Sequence, residues 1–145
     1  MDKAPKILLV EDNPDDELLT IAALEMSNLV NEIQVCRDGL EALDYLYCRG
    51  KYADRDKSDL PALILLDINM PKVSGLDVLR ELRSQDSTKR TPVVMLTTSQ
   101  EDSDLVESYD LGANSYVKKP VDFEEFSQAV SRLGFYWLLL NKPAP

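Results

Sequence analysis

The sequence predicts a doubly wound α/β domain: a five-stranded parallel sheet in the order 2-1-3-4-5 with helices on both faces. Two observations carry that expectation. Short β-prone apolar runs alternate with stretches of helical spacing in the order βαβαβαβαβα, the pattern of parallel strands joined by crossover helices. The runs are also continuously apolar instead of alternating, as befits strands covered on both sides. A length of 145 residues suits one domain with one core.

The elements follow in chain order. Ile7 to Val10 is the first strand. A helix starts at Asn13-Pro14 or Asp15, and Leu18, Leu19, Ala22 and Met26 recur at the spacing of one helical face, the face expected to meet the core. Glu32 to Cys36 is a second strand. Asp38-Gly39 marks a turn, after which Leu40, Leu43 and Tyr47 repeat the helical spacing. From Arg49 to Pro61 the chain is rich in Gly, Lys, Asp, Arg and Ser and reads as an exposed loop. Ala62 to Leu66 is the third strand and ends at Asp67. Leu76, Leu79 and Leu82 define a helix between Ser74 and Ser84, and Pro92 to Leu96 is the fourth strand. A polar helix spans about 100–110, a fifth strand Ser115 to Lys118, and a last helix about 122–139 with an aromatic end.

Composition removes several function classes. The formal charge of −10 repels nucleic-acid phosphates and anionic membranes, so direct binding to either is not expected. With no histidine, imidazole bases and His-rich zinc sites are excluded. Cys36 and Cys48 have no C-x-x-C spacing and read as small buried hydrophobes; with no apolar leader, the cytoplasm is the expected location. The longest apolar run, Phe135 to Leu140, falls well short of the roughly 20 residues that span a bilayer. Asp54, Asp56 and Ser58 imitate a calcium loop, but Asp59 replaces its glycine and Leu65 its final glutamate.

In open parallel sheets the chemistry lies beyond the carboxyl ends of the strands. Those positions hold Glu11 and Asp12, Asp67, Thr97 and Lys119. In the 2-1-3-4-5 order the first and third strands are neighbours, so Glu11, Asp12 and Asp67 converge. Three carboxylates together require a cation between them, and an oxygen-only donor set favours Mg²⁺ or Mn²⁺. A carboxylate beside such an ion, with a lysine and a hydroxyl nearby, can act as a nucleophile toward a phosphoryl group.

At this point the chain resembles the receiver domain of two-component response regulators. The resemblance rests on Ile7 to Asp12, Leu65 to Gly75, Thr97-Thr98-Ser99 and Gly112 to Pro120, and covers nearly the whole chain. It implies the flavodoxin-like receiver fold. Asp67 would be the phosphoacceptor; Glu11, Asp12, Asp67 and the backbone carbonyl of Asn69 would hold the ion. Thr97 would be the switch hydroxyl, Lys119 the partner of the phosphoryl group, and Tyr116 the aromatic that turns inward with Thr97. A narrower resemblance, carried by the loop Tyr45 to Pro61, Leu96 to Ser99, Lys119 to Asp122 and the aromatic tail, is to the small regulators that partner cyanobacterial phytochromes. It implies a sensor histidine kinase as donor, here a phytochrome, and a homodimer built on the fourth and fifth helices and the intervening strand.

Each signal also has a plainer reading. Asp12 alone is a helix cap, Thr97 alone a strand-end hydroxyl, and Tyr116 alone a core aromatic. Phe135 to Leu140 cannot all face one side of a helix. That tail either closes the core or, with Phe135 and Trp137 beside Val106 and Tyr109, forms an interface. With six residues after Leu139, the whole chain, 1–145, is expected to be a single receiver domain without an output domain. It assists its own phosphorylation and dephosphorylation and is not expected to be a turnover enzyme. The competing functions are an unphosphorylated binding module and an aspartyl-nucleophile phosphatase. The phosphatase would carry a second Asp where this chain has Asn69. A flavin binder is disfavoured by the acidic run Glu11 to Glu17.

Overall fold

The computed structural model describes residues 6–26, 32–97, 107, 109–119, 121–122, 124–126 and 128. Five strands, β1 (Lys6–Val10), β2 (Glu32–Cys36), β3 (Leu63–Asp67), β4 (Val93–Thr97) and β5 (Ser115–Lys118), form one sheet in the order β2-β1-β3-β4-β5. All four pairings are parallel, with Leu9 opposite Val35 and Leu65, Leu65 opposite Val94, and Leu96 opposite Val117. The expected order and every expected strand are present. Helices α1 (Pro14–Met26), α2 (Gly39–Leu46) and α3 (Gly75–Ser84) connect them.

Strand side chains alternate between the faces of the sheet, and both faces are buried. Leu8, Val10, Ile64, Leu66, Val93 and Met95 meet Ala42, Tyr45 and Leu46 of α2 and Val78, Leu79 and Leu82 of α3. Ile7, Leu9, Leu63, Leu65, Val94 and Leu96 meet Ala23 and Leu24 of α1 together with Val121 and Phe126. Side chains of β3 and β4 are buried throughout, which is why their sequences carry no polar alternation before the strand ends.

One helix presents a different face to the core from the one expected, and a second does so in part. On α1, Leu18 is 66% and Leu19 50% exposed and Ala22 is also exposed, while Thr20, Ala23 and Leu24 are buried. The helix has apolar residues all round, so the sheet selects the side. On α2, Leu40 is exposed, but Leu43 and Tyr47 are half-buried against the core that Ala42, Tyr45 and Leu46 enter.

The segment Arg49 to Pro61 is more than an exposed loop. It opens with a 3₁₀ turn, Gly50–Tyr52, and Arg55 closes the carboxyl end of α2. Its Nε donates to the Tyr45 carbonyl at 2.8 Å, its Nη2 to the Leu46 carbonyl at 3.3 Å and its Nη1 to the Asp59 carbonyl. The guanidinium also lies 4.2 Å from the centre of the Tyr45 ring, a cation–π contact. Carbonyls that end a helix without partners are thereby satisfied.

Of the helix expected near 100–110, Glu107, Tyr109 and Asp110 are described and helical; of the last helix, 124–126 and 128 are helical. Val106, Phe135 and Trp137 lie outside the described residues. Among the described residues no helix is long and apolar enough to cross a membrane.

Candidate functional site

The carboxyl ends of β1, β3, β4 and β5 meet on one edge of the sheet. Glu11 follows β1 directly and its N–H donates to the Cys36 carbonyl at 3.0 Å, so it is buried by extending the β1–β2 pairing. Asp12, next along, is exposed. Asp67 is the last residue of β3 and is 1% exposed. One carboxylate oxygen each from Glu11, Asp12 and Asp67 lie within 4.8 Å of one another. This is the convergence the strand order predicts.

Lys119, one residue beyond β5, is placed by its N–H, which donates to the Thr97 carbonyl at 2.8 Å. Its Nζ donates to Glu11 Oε1 at 3.0 Å and Oε2 at 3.3 Å, and lies 3.1 Å from Asp67 Oδ2. That last approach is an ion contact, not an aligned hydrogen bond: Oδ2 is buried with no hydrogen-bond donor directed at it. Asp67 Oδ1 accepts from the Asn69 N–H at 3.2 Å. Among the described residues, this buried carboxylate oxygen without a hydrogen bond, grouped with two other carboxylates, fits a hard divalent cation. The residues therefore suit Mg²⁺ or Mn²⁺.

The electrostatics agree. Burial and the neighbouring Asp67 carboxylate push Glu11 up to about 7, against the pull of Lys119. Burial also raises Asp67, although Glu11, Lys119 and the Asn69 N–H oppose the shift. Lys119 would be lowered by burial, but Asp16, Glu11 and Asp67 hold its ammonium above its ordinary value.

The loop between β3 and α3 is held by glycine. The Gly75 N–H donates to the Ile68 carbonyl at 2.9 Å, and a Cβ on Gly75 would lie 2.1 Å from the Asp67 carbonyl oxygen. Only glycine permits α3 to start so close to the end of β3. Ser74 caps that start, its hydroxyl accepting from the Asp77 N–H.

Thr97 ends β4 and is buried. Tyr116 lies on β5 with its side chain outward: the residue is 42% exposed and its ring meets Tyr109 edge-on, centroids 6.1 Å apart. It is not a core aromatic here. Lys118 is exposed and Cys36 is buried, its thiol pushed up to about 12 chiefly by burial. The sequence reading missed Asp16, whose Oδ2 accepts from Lys119 Nζ at 3.0 Å. An acid in the first turn of a helix reads as a complement to the helix dipole, so no local signal marks it.

The sheet and the gathering of carboxylates and a lysine at its edge define a phosphoacceptor domain of the receiver class. The chain belongs to the response regulator receiver domain family, whose model matches residues 7–131. Response regulator Rcp1 of Synechocystis sp. is 39% identical over 132 residues, 91% of this chain and 88% of the relative. The Mn²⁺-bound form of Rcp1 superposes with a TM-score of 0.76 at 37% identity, over 97% of this chain and 99% of that one. The bacteriophytochrome response regulator RtBRR reaches 0.86 at 52% identity, over 97% and 84%. The phosphorylated cyanobacterial phytochrome response regulator RcpA reaches 0.77 at 41%, over 97% and 98%. Both resemblances read from the sequence, to receivers and to phytochrome regulators, are thus found.

Proposed function

We propose that this protein is a phosphorylation switch in which Asp67 accepts a phosphoryl group from the histidine of a sensor kinase. The observation that carries the reading is the buried Asp67 carboxylate, 3.1 Å from Lys119 Nζ and grouped with Glu11 and Asp12. An Asp67 oxygen attacks phosphorus and a P–O bond forms, while the P–N bond to an imidazole protonated on its other ring nitrogen breaks; the electron pair stays on the freed nitrogen, and neutral imidazole leaves. Lys119 pairs with the transferred oxygens. Glu11, Asp12, Asp67 and the Asn69 carbonyl would hold Mg²⁺ or Mn²⁺, which neutralises charge on the phosphoryl oxygens. That a homologue, Rcp1, has a Mn²⁺-bound form supports this donor set.

Phosphorylation adds charge beside the end of β4, and Thr97 and Tyr116 are the residues that respond. The outward Tyr116, resting on Tyr109, is the starting position of that movement. The output is protein contact or self-association on the Tyr109–Tyr116 side, to which Val106, Phe135 and Trp137 would contribute; no nucleic acid or membrane takes part. The similarity to RtBRR and RcpA supports a phytochrome kinase as donor and a cytoplasmic setting. The protein acts on itself and is not a turnover enzyme.

The test is intact mass after incubation with acetyl phosphate and Mg²⁺, with sedimentation of the same samples. Wild type is expected to gain one phosphoryl group and Asp67→Asn none. Labelling of the variant to the wild-type extent would refute the assignment of Asp67.

A further inference from the structure

Asp16 is a fourth carboxylate at the strand ends, and none of the roles proposed above uses it. Its place is set by the start of α1. Asn13 Oδ1 accepts from the N–H groups of Asp15 at 2.8 Å and Asp16 at 3.1 Å. Pro14, lacking an N–H, suits the first helical position. This cap orients the first turn so that Asp16 Oδ2 receives a hydrogen bond from Lys119 Nζ at 3.0 Å.

An ammonium has three N–H donors, and Lys119 faces three carboxylates: Glu11, Asp67 and Asp16. Glu11 and Asp67 belong to the proposed cation site and are wholly buried, their side chains 0% and 1% exposed. Asp16 stands outside that set and nearer solvent, at 26%. Its contact is more than a surface ion pair, because the Lys119 side chain is itself only 6% exposed and its charge is weakly screened.

We propose that Asp16 is a positioning residue for phosphoryl transfer. It holds the Lys119 ammonium, which also contacts Glu11 and Asp67, on the more exposed side of those two carboxylates, at the mouth of the pocket where the transferred oxygens arrive. The inference rests on the phosphoacceptor reading of Asp67. Without Asp16, the carboxylates left to the ammonium among the described residues are the two buried ones, and the incoming group meets a lysine withdrawn from it.

The experiment compares wild type, Asp16→Ala, Asp16→Asn, Lys119→Ala and the double variant Asp16→Ala/Lys119→Ala. Labelling of Asp67 by acetyl phosphate and Mg²⁺ is timed by intact mass, and thermal melts show whether each variant folds. Asp16→Ala is expected to label about tenfold more slowly at near-wild-type melting temperature, the scale of one charge-assisted hydrogen bond. Asp16→Asn should fall between the two, since it keeps an acceptor oxygen. The double variant should be no slower than Lys119→Ala, because Asp16 acts through the lysine. An unchanged rate in folded Asp16→Ala, or a further loss in the double variant, overturns the proposal. Independently, the ¹⁵N and ¹H shifts of the Lys119 ammonium should differ between wild type and Asp16→Ala, because the two leave it different hydrogen-bond partners; identical shifts in the two also overturn it. That arm needs no phosphorylation, so failure of wild type to label counts against the phosphoacceptor reading alone.

Discussion

Helices α1 and α3 approach the same strand edge from opposite faces of the sheet, and their sequences specify their packing unequally. In α3, Leu76, Leu79 and Leu82 form one stripe, and Asp77, Arg80, Glu81 and Arg83 occupy the rest of the helix. Only one side can be buried, and Val78, Leu79 and Leu82 are. In α1, Leu18, Leu19, Ile21, Ala22, Ala23 and Leu24 surround the axis. Burial of Ala23 and Leu24 leaves Leu18 and Leu19 in solvent. An apolar residue is a vote for burial, and its direction is legible only where the opposite side votes the other way.

The largest test of that contrast is Leu79→Ala. A fully buried leucine at the centre of the α3 face should cost about 3 kcal/mol on truncation, read from the urea midpoint. A loss below about 1 kcal/mol would mean that α3 is loosely packed. Next is the α1 cap: Asn13→Ala removes the acceptor for two N–H groups and should cost about 1 kcal/mol. The same substitution should slow labelling of Asp67 through displacement of Asp16.

A smaller effect distinguishes α2, which shares its sheet face with α3. Glu41 is buried enough to raise its pKa. Its hydrogen bonds from the Arg37 N–H and the Tyr52 hydroxyl, and its pairing with Lys51, outweigh this and hold it below the ordinary carboxylate range. A carboxyl depressed in the folded state stabilises fully above its unfolded value, roughly pH 4.3, and loses that contribution as pH falls through the lower folded value. The stability difference between wild type and Glu41→Gln should therefore shrink as pH falls from about 6 to 3. A difference constant over that range would show that the Glu41 charge contributes nothing. The smallest effect is Leu18→Ala, expected within about 0.5 kcal/mol of wild type. A loss comparable with Leu79→Ala would contradict the outward placement of α1's leucines.

Much of the site was legible for the same reason as α3. Glu11, Asp67 and Thr97 each interrupt an apolar run at its carboxyl end, and Asp12 and Lys119 lie just beyond a strand; each has a plainer reading alone and gains its role once the strands are placed side by side. Asp16 was illegible because an acid in a helix's first turn always has a plainer reading. The loop around Arg55 was illegible for a related reason: its polar composition describes a solvated segment, whereas its guanidinium spends most of its donors on the carbonyls of α2 and Asp59.

By itself the sequence determined the strands, their parallel pairing and the clustering of three carboxylates, because strand identity and crossover handedness follow from local pattern and chain chirality. Tertiary structure alone decided which side of α1 is buried, where Tyr116 points and which carboxylates surround Lys119. Those outcomes depend on how separate elements pack, in the case of Glu11 and Lys119 across more than a hundred positions, and no local pattern encodes them.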